Sequence, residues 1–220
     1  MNDQDFEAYA DFKRFNTKVA PTWDTALGKA IHRTGQAPAQ LQVLDYGCGD
    51  GKYFAHLCVR GFRAERLHGV DVSRRRVERC HEIGWSNAKI LVPGNPLDFA
   101  DASIDIINCM EVIEHIPAVQ GEATMRELRR VLRPNGVLLI STPNYPIKRF
   151  YDVSDAMLHR KWSRLRDDPT HVTHFSSGRL YDLLAKNFAR VEATPFKPGF
   201  LYKRFSYPFF LHKLFFLCQP

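Results

Sequence analysis

The chain has 220 residues, 45% of them apolar and 25% charged, which is the usage of one compact globular domain and excludes a disordered, collagen-like or fibrous protein. A formal charge of +7 and a pI near 9.2 fit either an anionic partner or a solvated basic face, since Arg74-Arg75-Arg76 is the one tight basic run. Five cysteines without a C-x-x-C pair exclude a disulfide framework or a thiolate metal knuckle, and residues 1–15 are too polar for a secretory leader, so a reduced cytoplasmic setting is expected.

In chain order, residues 4–15 and 22–33 read as two helices forming a lid over residues 1–40, the second with Thr22 as N-cap and Gly35 as its stop. Strands are predicted at residues 42–45, 67–71, 88–92, 104–109, 136–141 and 188–193. Helices are predicted between them at 52–60, 74–83, 121–132 and 177–186. Such alternation predicts an α/β fold: a mostly parallel sheet with helices on both faces, its core spanning residues 41–195, and ligands bound outside the carboxyl ends of the strands.

The first strand runs into Leu44-Asp45-Tyr46-Gly47-Cys48-Gly49-Asp50-Gly51, three glycines at alternate positions followed by a helix. Without Cβ atoms there, the backbone can approach a ligand closely and take positive φ. The spacing is G-x-G-x-G rather than G-x-G-x-x-G, and no P-loop Lys-Ser/Thr follows, which argues against a phosphate ligand. Asp71 closes the second strand 26 residues after Asp45, a distance that suits a bidentate hydrogen bond to a ribose diol.

Residues 43–51, VLDYGCGDG, resemble the first motif of the class I S-adenosylmethionine-dependent methyltransferases. The segments LHGVDVS at 67–73, Gly94-Asn95, SIDIINC at 103–109 and RRVLRPNGVLLISTPN at 129–144 resemble that family's later motifs in order, so the resemblance covers residues 41–192. It implies a seven-stranded Rossmann-like fold and S-adenosylmethionine as cofactor. By the same resemblance Asp45 serves the methionine end, with turn capping as its structural alternative, while Gly47, Cys48 and Gly49 form the cradle. Asp71 and Val72 meet the ribose. Asn95, with Pro96 holding it extended, faces the adenine where the family often has Asp. Cys109 and Met110 either line the cofactor or pack the core.

Two further segments carry chemistry. In CMEVIEHIP at 109–117, Glu111, Glu114 and His115 fall at i, i+3 and i+4, so a helical turn would put them on one face with Val112, Ile113 and Ile116 on the other. This resembles the E-x-x-E-H of ubiquinone-pathway O-methyltransferases and of small-RNA 2′-O-methyltransferases. In the RNA enzymes a distant histidine completes a metal site, and His171, 56 residues after His115, is the counterpart. Metal-free methyltransferases share the pattern, so no metal is assigned; Glu111, Glu114, His115 and His171 stand as weak ligand candidates. The segment DDPTHVTHFSS at 167–177 resembles the block ahead of the last helix in methyltransferases of glycan and secondary-metabolite assembly, with Ser176 or Ser177 as N-cap. His115, His171 and His174 would face the acceptor, one of the last two as general base or else packed in the loop.

The tail, residues 196–220, is aromatic with interspersed basic residues, too interrupted by Pro208 and charge to span a bilayer. It reads as a membrane-interface or partner contact, or as a pocket flap or dimer surface. The expected function is O-methylation of a small-molecule or glycan-type hydroxyl. The alternatives are a metal-assisted RNA 2′-O-methyltransferase, with nucleic acid as partner, and a non-catalytic cofactor-binding subunit.

Overall fold

The computed structural model describes residues 18–160, 162, 168–194 and 213–220 together with Glu7 and Ala10. The seven strands are β1 (Val43–Tyr46), β2 (Leu67–Asp71), β3 (Ala88–Ile90), β4 (Ile104–Met110), β5 (Leu132–Pro143), β6 (Arg190–Ala193) and β7 (Lys213–Gln219), in spatial order β3-β2-β1-β4-β5-β7-β6. All neighbours pair in parallel except β7, which is antiparallel to both β5 and β6. The chain winds outward from β1 in one direction and from β4 in the other, so a crevice opens between their carboxyl ends.

The helices are α1 (Pro21–Thr34), α2 (Phe54–Val59), α3 (Arg74–Glu82), α4 (Ala118–Val131), α5 (Tyr145–His159) and α6 (Ser177–Ala185). They divide the core into two layers. One face of the sheet packs Leu138, Ile140, Leu214 and Phe216 against Met125 and Leu128 of α4 and Leu180 and Leu184 of α6. The other packs Val137, Leu139, Phe215 and Leu217 against Trp23, Leu27 and Ala30 of α1 and Val77 and Cys80 of α3. Successive residues of β5 and β7 thus alternate between the layers, as the pleat requires.

The six predicted strands and four helices of the core are present, with ends shifted by a few residues. Several details differ from expectation. α1 starts on Pro21, whose missing N–H costs nothing in a first turn, so its N-cap is Ala20 rather than Thr22. Gly35 stops it in left-handed geometry at φ 68° as expected, and α6 is capped by Ser176, which accepts from the Arg179 N–H. α1 is a core helix: Trp23, Ala26, Leu27 and Ala30 are fully buried. Of the predicted helix at 4–15, only Glu7 and Ala10 lie among the described residues; Glu7 accepts from Ser73 Oγ and from the Arg74 N–H at the start of α3.

Two elements are absent from the sequence reading. α5 follows β5 directly. β7, read as part of the tail, is inserted between β5 and β6 with Leu214, Phe215, Leu217 and Cys218 fully buried. Burying a Leu or Phe side chain contributes about 1.5–3 kcal/mol, so residues 213–219 hold the sheet together rather than face a membrane. The rest of the aromatic run, 200–212, lies outside the described residues.

Candidate active site

A cavity of about 350 Å³ opens at the carboxyl ends of β1, β2 and β4. Its wall includes Gly47, Cys48, Asp71, Val72 and Met110 from the expected cofactor set, and His115 from the expected acceptor set. It also includes Lys52, Tyr53, Pro93, Gln120 and Thr124, which no sequence motif singled out, and Gly94, Val112, Thr170 and Val172, which lie within the motifs without having been given a role at the cofactor or acceptor.

The glycine turn is shaped by two constraints. The Gly47 and Cys48 N–H groups both donate to the Val70 carbonyl, at 2.8 and 3.0 Å, tying the loop to β2. Gly47 has φ +78°, and a Cβ there would lie 2.3 Å from Val112 Cγ2, so only glycine fits. Asp71 then braces the loop from below: Oδ2 accepts from the Gly49 N–H at 2.9 Å and Oδ1 from the Ser73 N–H at 3.0 Å. Burial raises the Asp71 carboxyl above its ordinary range, opposed by those two N–H groups and the nearby Arg76 charge.

Asp45 sits one layer behind the cavity wall, fully buried at the end of β1. Its Oδ1 accepts from Asn108 Nδ2 at 2.6 Å, and Asn108 Oδ1 accepts from the Trp23 indole N–H at 2.7 Å. Its Oδ2 is buried without a protein hydrogen-bond partner. Burial pushes its carboxyl up to about 7, against the opposing pull of the Asn108 hydrogen bond. A buried carboxylate oxygen with no donor, behind a cavity, is where a ligand cation or a bridging water is needed.

The remaining cofactor candidates fall elsewhere. Gly49 stands behind the wall on Asp71, Cys109 is fully buried in the core on the α4 side, and Asn95 and Pro96 are exposed. Pro93 and Gly94 take the wall position from that loop.

The E-x-x-E-H segment does not form the expected one-faced turn. Glu111 adopts φ 59°, outside any helix, and only Ile113–His115 make a short 3-10 turn. Glu111 therefore parts from Glu114 and His115, which stay within one cluster. Glu111 accepts from Ser141 Oγ at 2.8 Å and pairs with Lys213, the first residue of β7. Glu114 is buried; Oε2 accepts from Thr142 Oγ1 at 3.0 Å and Oε1 has no hydrogen-bond partner. Burial, reinforced by the Glu111 charge, raises the Glu114 carboxyl to about 8. Val112 and Ile116, expected to turn away, line the cavity instead.

His115 Nδ1 lies 3.0 Å from the Thr170 carbonyl oxygen, which can only accept, so Nδ1 carries a proton. His171 packs edge-on to His115 with ring centroids 4.9 Å apart, and its Nδ1 is 2.8 Å from the Tyr145 hydroxyl. Burial, then the neighbouring His115, lowers His171 to about 4. His174 is stacked on the Tyr145 ring at 3.7 Å and, like His171, stands off the cavity wall. Among the described residues, Glu114, His115 and His171 place one potential ligand atom each within 4.8 Å of one another.

Comparison with known proteins agrees with this architecture. The ubiquinone biosynthesis O-methyltransferase of Rickettsia prowazekii is 30% identical over 121 residues, covering 51% of this chain and 44% of that protein. The chain thus spans less than half the length of this relative. A SAM-dependent methyltransferase from Archaeoglobus fulgidus superposes with a TM-score of 0.61 at 16% identity, covering 89% of this chain and 94% of the other. The magnesium protoporphyrin IX methyltransferase of Synechocystis, solved with bound SAH, gives 0.58 at 17% identity, covering 90% and 82%. A family model described as a methyltransferase domain matches residues 18–191, most of the chain. With the glycine cradle, Asp71 and the seven-stranded sheet in their expected order, the chain belongs to the S-adenosylmethionine-dependent methyltransferases.

Proposed function

We propose that the chain transfers the methyl group of S-adenosylmethionine to a hydroxyl oxygen of a small-molecule acceptor. The observation that carries this reading is His115: it lines the cavity, and its Nδ1–H is held by the Thr170 carbonyl, so that in the neutral tautomer Nε2 is the nitrogen that serves as base. The names of the curated relatives point the same way.

In this reading Asp71 takes the ribose hydroxyls. The unpartnered Oδ2 of Asp45 takes the cofactor's ammonium directly or through a water. The acceptor lies against Val112, Ile116 and Val172, whose apolar surfaces exclude water from the sulfonium. The acceptor oxygen attacks the methyl carbon in line as the carbon–sulfur bond breaks, sulfur keeps the electron pair, and the hydroxyl proton passes to His115 Nε2. His171 and Tyr145 support the His115 ring from behind rather than touching the acceptor.

A second reading is favoured by one observation. Glu114 Oε1 is buried without a donor, and Glu114, His115 and His171 each bring one potential ligand atom within 4.8 Å of the others, a carboxylate and two imidazoles that suit a divalent cation. Such a cation would lower the pKa of an acceptor hydroxyl.

The test is methyl transfer from labelled S-adenosylmethionine to a panel of hydroxylated small molecules, with and without chelator. Base-stable methyl ethers formed in chelator, and lost in His115→Ala, support general-base O-methylation. Chelator-sensitive turnover with Mn²⁺ bound by the wild type but not by Glu114→Gln supports the second reading. Label recovered only in base-labile esters or in N-methyl products contradicts both.

A further inference from the structure

The surface away from the cavity has, among the described residues, one concentrated apolar feature. Among the described residues, twelve large hydrophobic side chains are exposed, and five of them, Phe150, Val153, Met157, Leu158 and Trp162, fall within one short stretch of α5 and the turn after it. Phe150, Met157 and Trp162 are 61, 72 and 61% exposed. Phe150, Val153 and Met157 recur at i, i+3 and i+7, which puts them in one stripe, while Ile147, Asp152 and Ala156 are buried. Helix α5 therefore carries an exposed apolar stripe, a pattern that a solvated helix does not carry.

We propose that this face of α5 is a peripheral docking surface for an anionic lipid bilayer. Charge selects that occupant. Arg160, exposed at the end of α5, opens a run in which the sequence has Arg160, Lys161, Arg164 and Arg166 and no acidic residue from Ala156 to Arg166. Aliphatic and aromatic side chains with a tryptophan and adjoining basic residues are the composition of interfacial helices on anionic membranes. The helix lies on the bilayer and does not cross it: no described helix is long and apolar enough to span a membrane. The face also has a fixed relation to the active site, because Tyr145, the first residue of α5, holds His171 beside His115.

Co-sedimentation of the full chain with phosphatidylcholine vesicles, and with vesicles that also contain phosphatidylglycerol, tests this without reference to catalysis. The expected result is binding to the phosphatidylglycerol vesicles only, weakened by added salt and reduced roughly tenfold or more in Phe150→Ser/Met157→Ser. Arg160→Glu should lower the same binding about fivefold or more and leave the far-UV spectrum and melting temperature of the protein unchanged. Absence of binding to the anionic vesicles, or binding by Phe150→Ser/Met157→Ser equal to that of the wild type, would overturn the proposal. A wild-type dimer in sedimentation velocity that the double variant converts to monomer would overturn it too, by giving the face to a second copy of the chain.

Discussion

Asn108 and Asp45, neighbours on paired strands β4 and β1, form a buried hydrogen bond of 2.6 Å whose other end is the Trp23 indole on α1. The carboxylate at the base of the cavity is thereby positioned by a helix outside the nucleotide-binding motifs. Replacing Asn108 by Ala leaves an indole N–H and a carboxylate oxygen buried and unpaired. At about 1–3 kcal/mol for each unsatisfied group, Asn108→Ala should destabilise the fold by roughly 2–5 kcal/mol in chemical denaturation and weaken cofactor binding as Asp45 loses its orientation. Asn108→Asp, which adds a second buried acid beside the first, should do no better.

The raised carboxyl of Asp45 gives a pH signature. Its value near 7, against an ordinary 3.8, means that the folded cofactor-free protein holds a proton which the unfolded chain releases. The sign follows: stability of the cofactor-free protein falls as pH rises from about 4 to 7, by up to about 4 kcal/mol from this group, and is flat above. A cofactor ammonium beside Oδ2 favours the carboxylate, so S-adenosylhomocysteine should bind more tightly as pH rises to about 7 and should release a proton on binding below it. Titration calorimetry in two buffers of different ionisation enthalpy reads that proton directly.

Gly47→Ala should damage the cradle from the protein side. The new methyl meets Val112 Cγ2, and the residue is held at φ +78°. Overpacking and left-handed backbone together cost about 2–4 kcal/mol in the denaturation midpoint. The double variant Gly47→Ala/Val112→Ala should recover part of that loss, which separates the clash from the backbone strain.

Lys213 pairs with Glu111 across the join between β7 and the cavity loop, which neutralises one of two acids that otherwise repel. Lys213→Met should cost about 1 kcal/mol in stability and raise the pH at which Glu114 ionises. Carboxyl titration of Glu114 by NMR, compared between wild type and variant, checks the direction. Lys213→Arg should keep most of both.

The legible part of this fold is the part written in contiguous residues. Gly47 to Gly51 and Asp71 were readable because a strand, its turn and its acidic tip occupy a few positions each. β7 was hidden because KLFFLCQ, buried on both faces, shows no alternation and follows an aromatic, basic run that suggests an interface. Trp23 to Asn108, Lys213 to Glu111 and Tyr145 to His171 join residues that only the folded sheet brings together, so no spacing rule reaches them. The E-x-x-E-H pattern was read as a helical face. It failed because Glu111 turns into left-handed backbone, which swings the first carboxylate toward β7 and away from the imidazole.

Calorimetric titration of S-adenosylhomocysteine into the wild-type chain and Asp71→Ala tests the cofactor site most directly. Binding by the wild type with one site per chain, weakened by about 1–3 kcal/mol in Asp71→Ala while the melting temperature of Asp71→Ala still marks a folded protein, is the predicted result. A folded wild-type chain that takes up no S-adenosylhomocysteine, or an Asp71→Ala variant that binds it equally well, would contradict it.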